Sequence, residues 1–182
     1  MNTRTGLSAL KFAVVLAALF IGNVVNAQTD KDKKIMSDVA VAKTQFVATD
    51  GLMKNLFENA YAWVIFPNVG KGAIGVGGAA GNGIVYEGGS AIGSAKMKQV
   101  TVGFQFGGQA YREVIFFENK EALERFKQDN FEFSAQASAV AVKAGASTNV
   151  KYRDGVMIFT QEKGGLMYEA SIGGQKFDFT AF

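Results

Sequence analysis

GKGAIGVGGAAGNGIVYEGGSAIGSAKMKQVTVGFQFGG, residues 70–108, places 13 glycines in 39 residues. Between them stand Ile74, Val76, Ile84, Val85, Tyr86, Val100, Val102, Phe104 and Phe106, all β-branched or aromatic. Such residues favour strands, whereas glycine inside a strand weakens it and permits bends, bulges and close backbone approach. The combination predicts a sharply curved sheet. A loose G-x-G-x-x-A lies at Gly75–Ala80, but a dinucleotide loop must open a helix whose first turn holds the pyrophosphate. Here Ile84-Val85-Tyr86 continues as strand and Gly81 and Gly83 interrupt any helix, so a nucleotide site is not expected.

On either side the pattern is strand again. AWVIF (62–66), closed by Pro67, and YREVIFF (111–117) read as buried strands. Asn119 caps a short helix expected over 120–128, with Leu123 and Phe126 on its apolar side. FEFSAQASA (131–139) alternates with a period of two, and 156–160 and 165–172 are further strands. Gly173-Gly174 is expected to turn a hairpin into a final strand over 175–180. Upstream, Ile35, Val39, Ala42 and Phe46, then Met53, Leu56, Phe57 and Ala60, recur at helical spacing. They predict helices over about 33–48 and 51–60, the second capped by Asp50. The fold class is therefore α+β. Two N-terminal helices pack on a strongly curved, mostly antiparallel, barrel-like glycine-rich sheet of seven or eight strands, and one further short helix interrupts it.

The chain has no Cys and no His. That excludes disulfides, a thiol nucleophile, a His-based triad and an imidazole metal site, so no metal, no cofactor and no catalytic residue is assigned. Glu118, Glu121 and Glu124 surround the 120–128 helix and read as solvated surface acids. An enzyme is not expected.

Residues 1–27 have the layout of a secretory signal peptide. Arg4 and Lys11 precede the apolar run Phe12–Val25, and Val25-Asn26-Ala27 offers a cleavage site. A run of 14 residues is too short for the ~20 of a membrane-spanning helix. Cleavage after Ala27 leaves one domain, 28–182, of 155 residues with 17 basic and 16 acidic side chains. The expected location is periplasmic or secreted. Without a Cys there is no lipid anchor. A charge near +1 also removes nucleic acid as a default partner.

Two basic groups remain as candidate contacts with an anionic membrane surface. Lys31, Lys33 and Lys34 flank the apolar Ile35 and Met36, though Asp30 and Asp32 dilute them. Lys71, Lys96 and Lys98 stand in the glycine-rich stretch, where Glu87 is the one acid between residues 61 and 111.

Five segments in order resemble the SYLF-domain family: AYAWVIFPNVGKGAIGVGG (Ala60–Gly78), VGFQFGGQAYREVIFF (Val102–Phe117), EALERF (Glu121–Phe126), FEFSAQASAVAVKAGA (Phe131–Ala146) and KGGLMYEASIGGQKF (Lys163–Phe177). The resemblance implies binding of phosphoinositide or other anionic lipids and, in fungal members, of actin. It places this chain with the exported bacterial branch, where actin is absent and lipid is not. The expected function is thus a non-enzymatic, periplasmic lipid- or membrane-surface-binding protein. The alternative is a structural or protein-interaction module of the cell envelope.

Overall fold

A computed structural model describes residues 30–182 except 75, 103–108, 129–130, 135–137 and 164–168. The signal-peptide reading of residues 1–27 lies outside the described residues. The chain divides into two compact units, Met1–Lys34 and Ile35–Phe182. Of the first, residues 30–34 are described and are helical.

The second unit begins with helix α1 (residues 35–49) and helix α2 (Met53–Asn59). Four long strands follow: β1 (Ala62–Ile74), β2 (Val76–Glu87), β3 (Ser90–Val102) and β4 (Gln109–Phe117). Helix α3 (Lys120–Phe126) leads to β5 (Phe131–Glu132), β6 (Ser138–Ala141), β7 (Val156–Glu162), β8 (Glu169–Ser171) and β9 (Gln175–Ala181). A 3-10 turn (Ala146–Asn149) lies between β6 and β7. The described strands form one sheet in the order β5-β9-β3-β2-β1-β4-β7-β6-β8, antiparallel except for β6 beside β7. The α+β class and the curved sheet are as expected, with nine strands in place of seven or eight.

The first five residues of β1 form an unbroken apolar run because both faces of the strand are covered there. Ala62, Val64 and Phe66 join Ile115, Phe117, Ile158 and Phe177 in one core. Trp63 and Ile65 join Ile84, Val114, Phe116 and Phe159 in a second core, which α1 and α2 cover through Val39, Ala42, Phe46, Met53 and Phe57. Leu123 and Phe126 of α3 fill the first core, the Phe126 ring 5.1 Å from Phe177 and 5.0 Å from Phe117.

The sequence placed the end of β1 at Pro67, yet the strand runs on to Ile74. Its register shifts between Phe66 and Val69 against β4, and between Ile65 and Asn68 against β2. A bulge is where a central strand tolerates a residue with no N–H to donate.

The expected hairpin at Gly173-Gly174 is corrected. The turn exists, with Gly174 at φ 75° and Gln175 N–H donating to the Ile172 carbonyl at 3.1 Å. The strands it joins do not pair, because β8 lies beside β6 and β9 beside β3. Seven strand spacings separate β9 from β8 in the sheet order, roughly 34 Å if the sheet were flat. Three residues joining Ser171 to Gln175 reach at most about 15 Å. The sheet must therefore curl strongly, as a half-barrel does. Gly83 and Gly93 fit the same geometry. A Cβ on Gly83 would lie 2.5 Å from the Ile65 carbonyl oxygen, and one on Gly93 would collide with the Phe179 ring. Residues 76–80 of the loose G-x-G-x-x-A do not open a helix: residues 76–87 are strand β2.

Candidate lipid-facing surface and a buried carboxylate

Side chains alternate along β3. Ala95, Met97 and Gln99 point into the core, which sends Lys96, Lys98 and Val100 to the opposite, exposed face. The same alternation buries Gln175 and Phe177 of β9 and exposes Lys176 and Asp178. In register, Lys98 stands directly across from Lys176, and Lys96 across from Asp178. Like charges placed opposite one another on a sheet are unfavourable by themselves. Lys176 is partly compensated from its other side by Glu132 of β5, 3.3 Å away. On β2 the positions facing Lys98 and Lys96 are Ala80 and Asn82, neither of them charged. Val100, 74% exposed, adds an apolar side chain beside the lysines.

The other sequence-predicted lysines are placed elsewhere. Lys71 lies in β1, in register with Ala79 and Gln109, and its side chain is outside the described residues. Lys31, Lys33 and Lys34 are exposed on the helical residues 30–34, where Asp30 and Lys33 approach to 3.7 Å. Ile35 and Met36 pack half-buried against the second core, so part of the apolar surface assigned to a membrane contact is already used within the fold. Lys176 was missed because its charged neighbours Glu132 and Asp178 look like an ordinary polar face until the β3–β9 register is known.

The surface reading of Glu118, Glu121 and Glu124 holds, all three being exposed. The carboxylate that departs from surface behaviour is Glu113, fully buried on β4 among the first-core side chains. Gln175 Nε2 donates to Glu113 Oε2 at 3.0 Å, tying β4 to β9. Thr160 is the cross-strand neighbour on β7. Glu113 Oε1 and Gln175 Oε1 have no hydrogen-bond partner among the described residues. Burial raises the Glu113 carboxyl to about 7 against the modest opposing effect of the Gln175 bond. Burial, and then the Glu113 charge, also push the neighbouring Tyr111 hydroxyl far above its usual range. A proton on Glu113 Oε1 converts one of two orphaned acceptors into a donor, so the neutral acid suits this interior better than the carboxylate.

Asp50 was expected to cap α2. It does accept from Leu52 N–H at 3.1 Å, but the residue at the α2 N-cap is Leu52, which makes no side-chain cap bond. The second Asp50 oxygen accepts from Ser147 N–H at 2.8 Å and Ser147 Oγ at 2.7 Å. Burial works to raise this carboxyl, but the Ser147 and Leu52 hydrogen bonds outweigh it and hold it below the ordinary aspartate value. Asp50 thus fastens the α1–α2 junction to the 3-10 turn.

Residues 98–180 match the family described as Las17-binding protein actin regulator, Ysc84. Over these residues the chain is similar to the Ysc84 (SYLF) domain. The resemblance read from the sequence is borne out over that segment, although it was drawn from about Ala60. The Ysc84 match includes Lys98, Lys176, Glu113 and Gln175, while Lys31, Lys33, Lys34, Lys71 and Lys96 precede it. The chain is also 34% identical over 71 residues to Beta cell expansion factor A of Aeromonas veronii. That alignment covers 39% of this chain and 27% of the relative, so the chain matches about a quarter of that protein's length. The Ysc84 family is associated with lipid binding and actin regulation.

Proposed function

We propose that this protein is a non-catalytic, exported binder of anionic lipid surfaces, and that its contact is the exposed β3–β9 face. The observation that carries the reading is the lysine row itself: Lys98 opposite Lys176, with Lys96 two residues along. An anionic surface turns their mutual repulsion into attraction. Each lysine near such a surface contributes about 1 kcal/mol, and Glu132 and Asp178 on the same face reduce the sum, so attachment is weak and reversible. The attraction falls within a Debye length of ~8–10 Å at physiological salt. Export rests on the signal-like residues 1–27, and it separates this protein from the actin named in the family description. Lys31, Lys33 and Lys34 add a secondary contact, limited by Asp30 and by the packing of Ile35 and Met36.

Co-sedimentation with vesicles tests the reading. Vesicles of phosphatidylglycerol and phosphatidylcholine pull the protein down at low salt, and pure phosphatidylcholine does not. Equal pelleting with both, or with neither, contradicts it; in the second case an envelope protein becomes the better partner.

A further inference from the structure

One side-chain bond crosses the inside of the curled sheet. Gln175 Nε2 of β9 reaches Glu113 Oε2 of β4 at 3.0 Å. In the sheet order β3, β2 and β1 stand between those two strands, a path of roughly 19 Å if the sheet were flat. Both residues are fully buried, and each leaves one side-chain oxygen without a partner. Within the sheet Glu113 is flanked by Phe66 of β1 and Thr160 of β7. Tyr111, and Glu162 in register with it, lie on the same face two residues along. Gln99 of β3 stands beside Gln175 and donates to the Gly173 carbonyl at 3.0 Å. No described basic side chain pairs with Glu113. Across the interior, the described element that meets it is β9. That strand pairs with β3 over residues 175–181, but on its other side β5 covers it only at Lys176 and Phe177. Phe177 and Phe179 pack in the first core, and no described β9 residue belongs to the second.

We infer that Glu113 and Gln175 form a proton-operated latch: with its proton Glu113 holds β9 against β4, and without it water enters and β9 parts from the interior while the helix-covered core stays folded. An ionised carboxylate has one amide donor on one oxygen and none on the other, too few for a charge kept from water. Moving β9 supplies that water without disturbing Trp63, Phe116 or the helices of the second core. The sign follows from the two environments. Closed, burial raises the carboxyl to about 7; open to water, it returns to its ordinary 4.5. Opening therefore becomes tenfold easier per pH unit from 4.5 to about 7, about 300-fold in all, and levels off above. Tyr111 stays neutral throughout, its hydroxyl being pushed far above its usual range. Lys176 follows Gln175, so opening also takes it from beside Lys98. The latch itself does not depend on the lipid-surface reading.

The test is amide hydrogen exchange of the full chain, resolved by NMR from pH 4.5 to about 8 and corrected for the intrinsic pH dependence of exchange. The amides of Lys176, Asp178 and Thr180, across from Lys98, Lys96 and Ser94, should be less protected than those of Val64 and Ile65 in the central β1. Their opening constant should rise about 300-fold between pH 4.5 and 7 and then level off. Glu113→Gln should abolish the rise, and Glu162→Gln, which changes the other acid on that face, should keep it. No rise in the parent, a rise that survives Glu113→Gln, or one lost in Glu162→Gln overturns the inference. So do β9 amides as protected as those of β1, which would show that Glu113 meets water only when the whole chain unfolds.

Discussion

Glu113→Gln should make the protein more stable at alkaline pH and leave it nearly unchanged in acid. The carboxyl is raised from 4.5 to about 7 in the fold, first by burial. A raised acid keeps its proton in the native state while the unfolded chain has released it. Its stabilising contribution is therefore complete below pH 4.5, declines from there to about pH 7, and is constant above. Two and a half pH units at 1.36 kcal/mol each make a loss of about 3 kcal/mol. In the variant the Gln oxygen accepts from Gln175 Nε2 as Oε2 does now, and the neutral amide leaves no charge to bury. Urea unfolding followed by tryptophan fluorescence suits the assay, since Trp63 is the one tryptophan and lies in the second core. At pH 8 the variant should gain up to ~3 kcal/mol, or roughly 6–12 °C in melting temperature at this chain length. Parallel curves of unfolding free energy against pH for parent and variant would refute the reasoning, because they would show Glu113 ionised in both states.

Asp50→Ala should cost about 2–4 kcal/mol, since it strips Ser147 N–H and Oγ of their buried acceptor 97 residues away. Because Asp50 is held below its ordinary pKa, the parent's advantage should be full above about pH 4 and shrink as acid protonates it, which a pH series of melts would check. Gly93→Ala should lower stability, although propensity alone would raise it by about 0.5–1 kcal/mol, because the new Cβ meets the Phe179 ring and the Thr180 carbonyl; a melt at or above the parent's would count against the close approach. If residues 1–27 are a signal peptide, intact mass of the exported protein should show a chain beginning at Gln28 with no acyl group.

What could be read from the residues was whatever depends on near neighbours. The apolar runs 62–66 and 111–117 announce strands buried on both faces. Asn119 announces α3, and its side chain accepts from Ala122 N–H at 3.0 Å. What could not be read depends on pairing between distant segments. Nothing local says that β9 leaves β8 to lie beside β3, and that single choice sets Lys176 opposite Lys98. Pro67 reads locally as a stop, because the bulge that accommodates it is made by the neighbours of β1. Glu113 could have been noticed: in Tyr111-Arg112-Glu113-Val114-Ile115 it shares its parity with Tyr111 and Ile115, which face the core.

The central claim is that the lysines of the β3–β9 face hold the protein on anionic lipid, and the salt dependence of binding tests it most directly. Vesicle affinity should be measured across a range of salt for the parent, K96Q/K98Q/K176Q and K31Q/K33Q/K34Q. The account predicts a parent affinity that falls steadily with salt, a sheet-face variant with little binding and a much shallower slope, and a leader variant only modestly weakened. A sheet-face variant that binds with the parent's affinity and slope would contradict it.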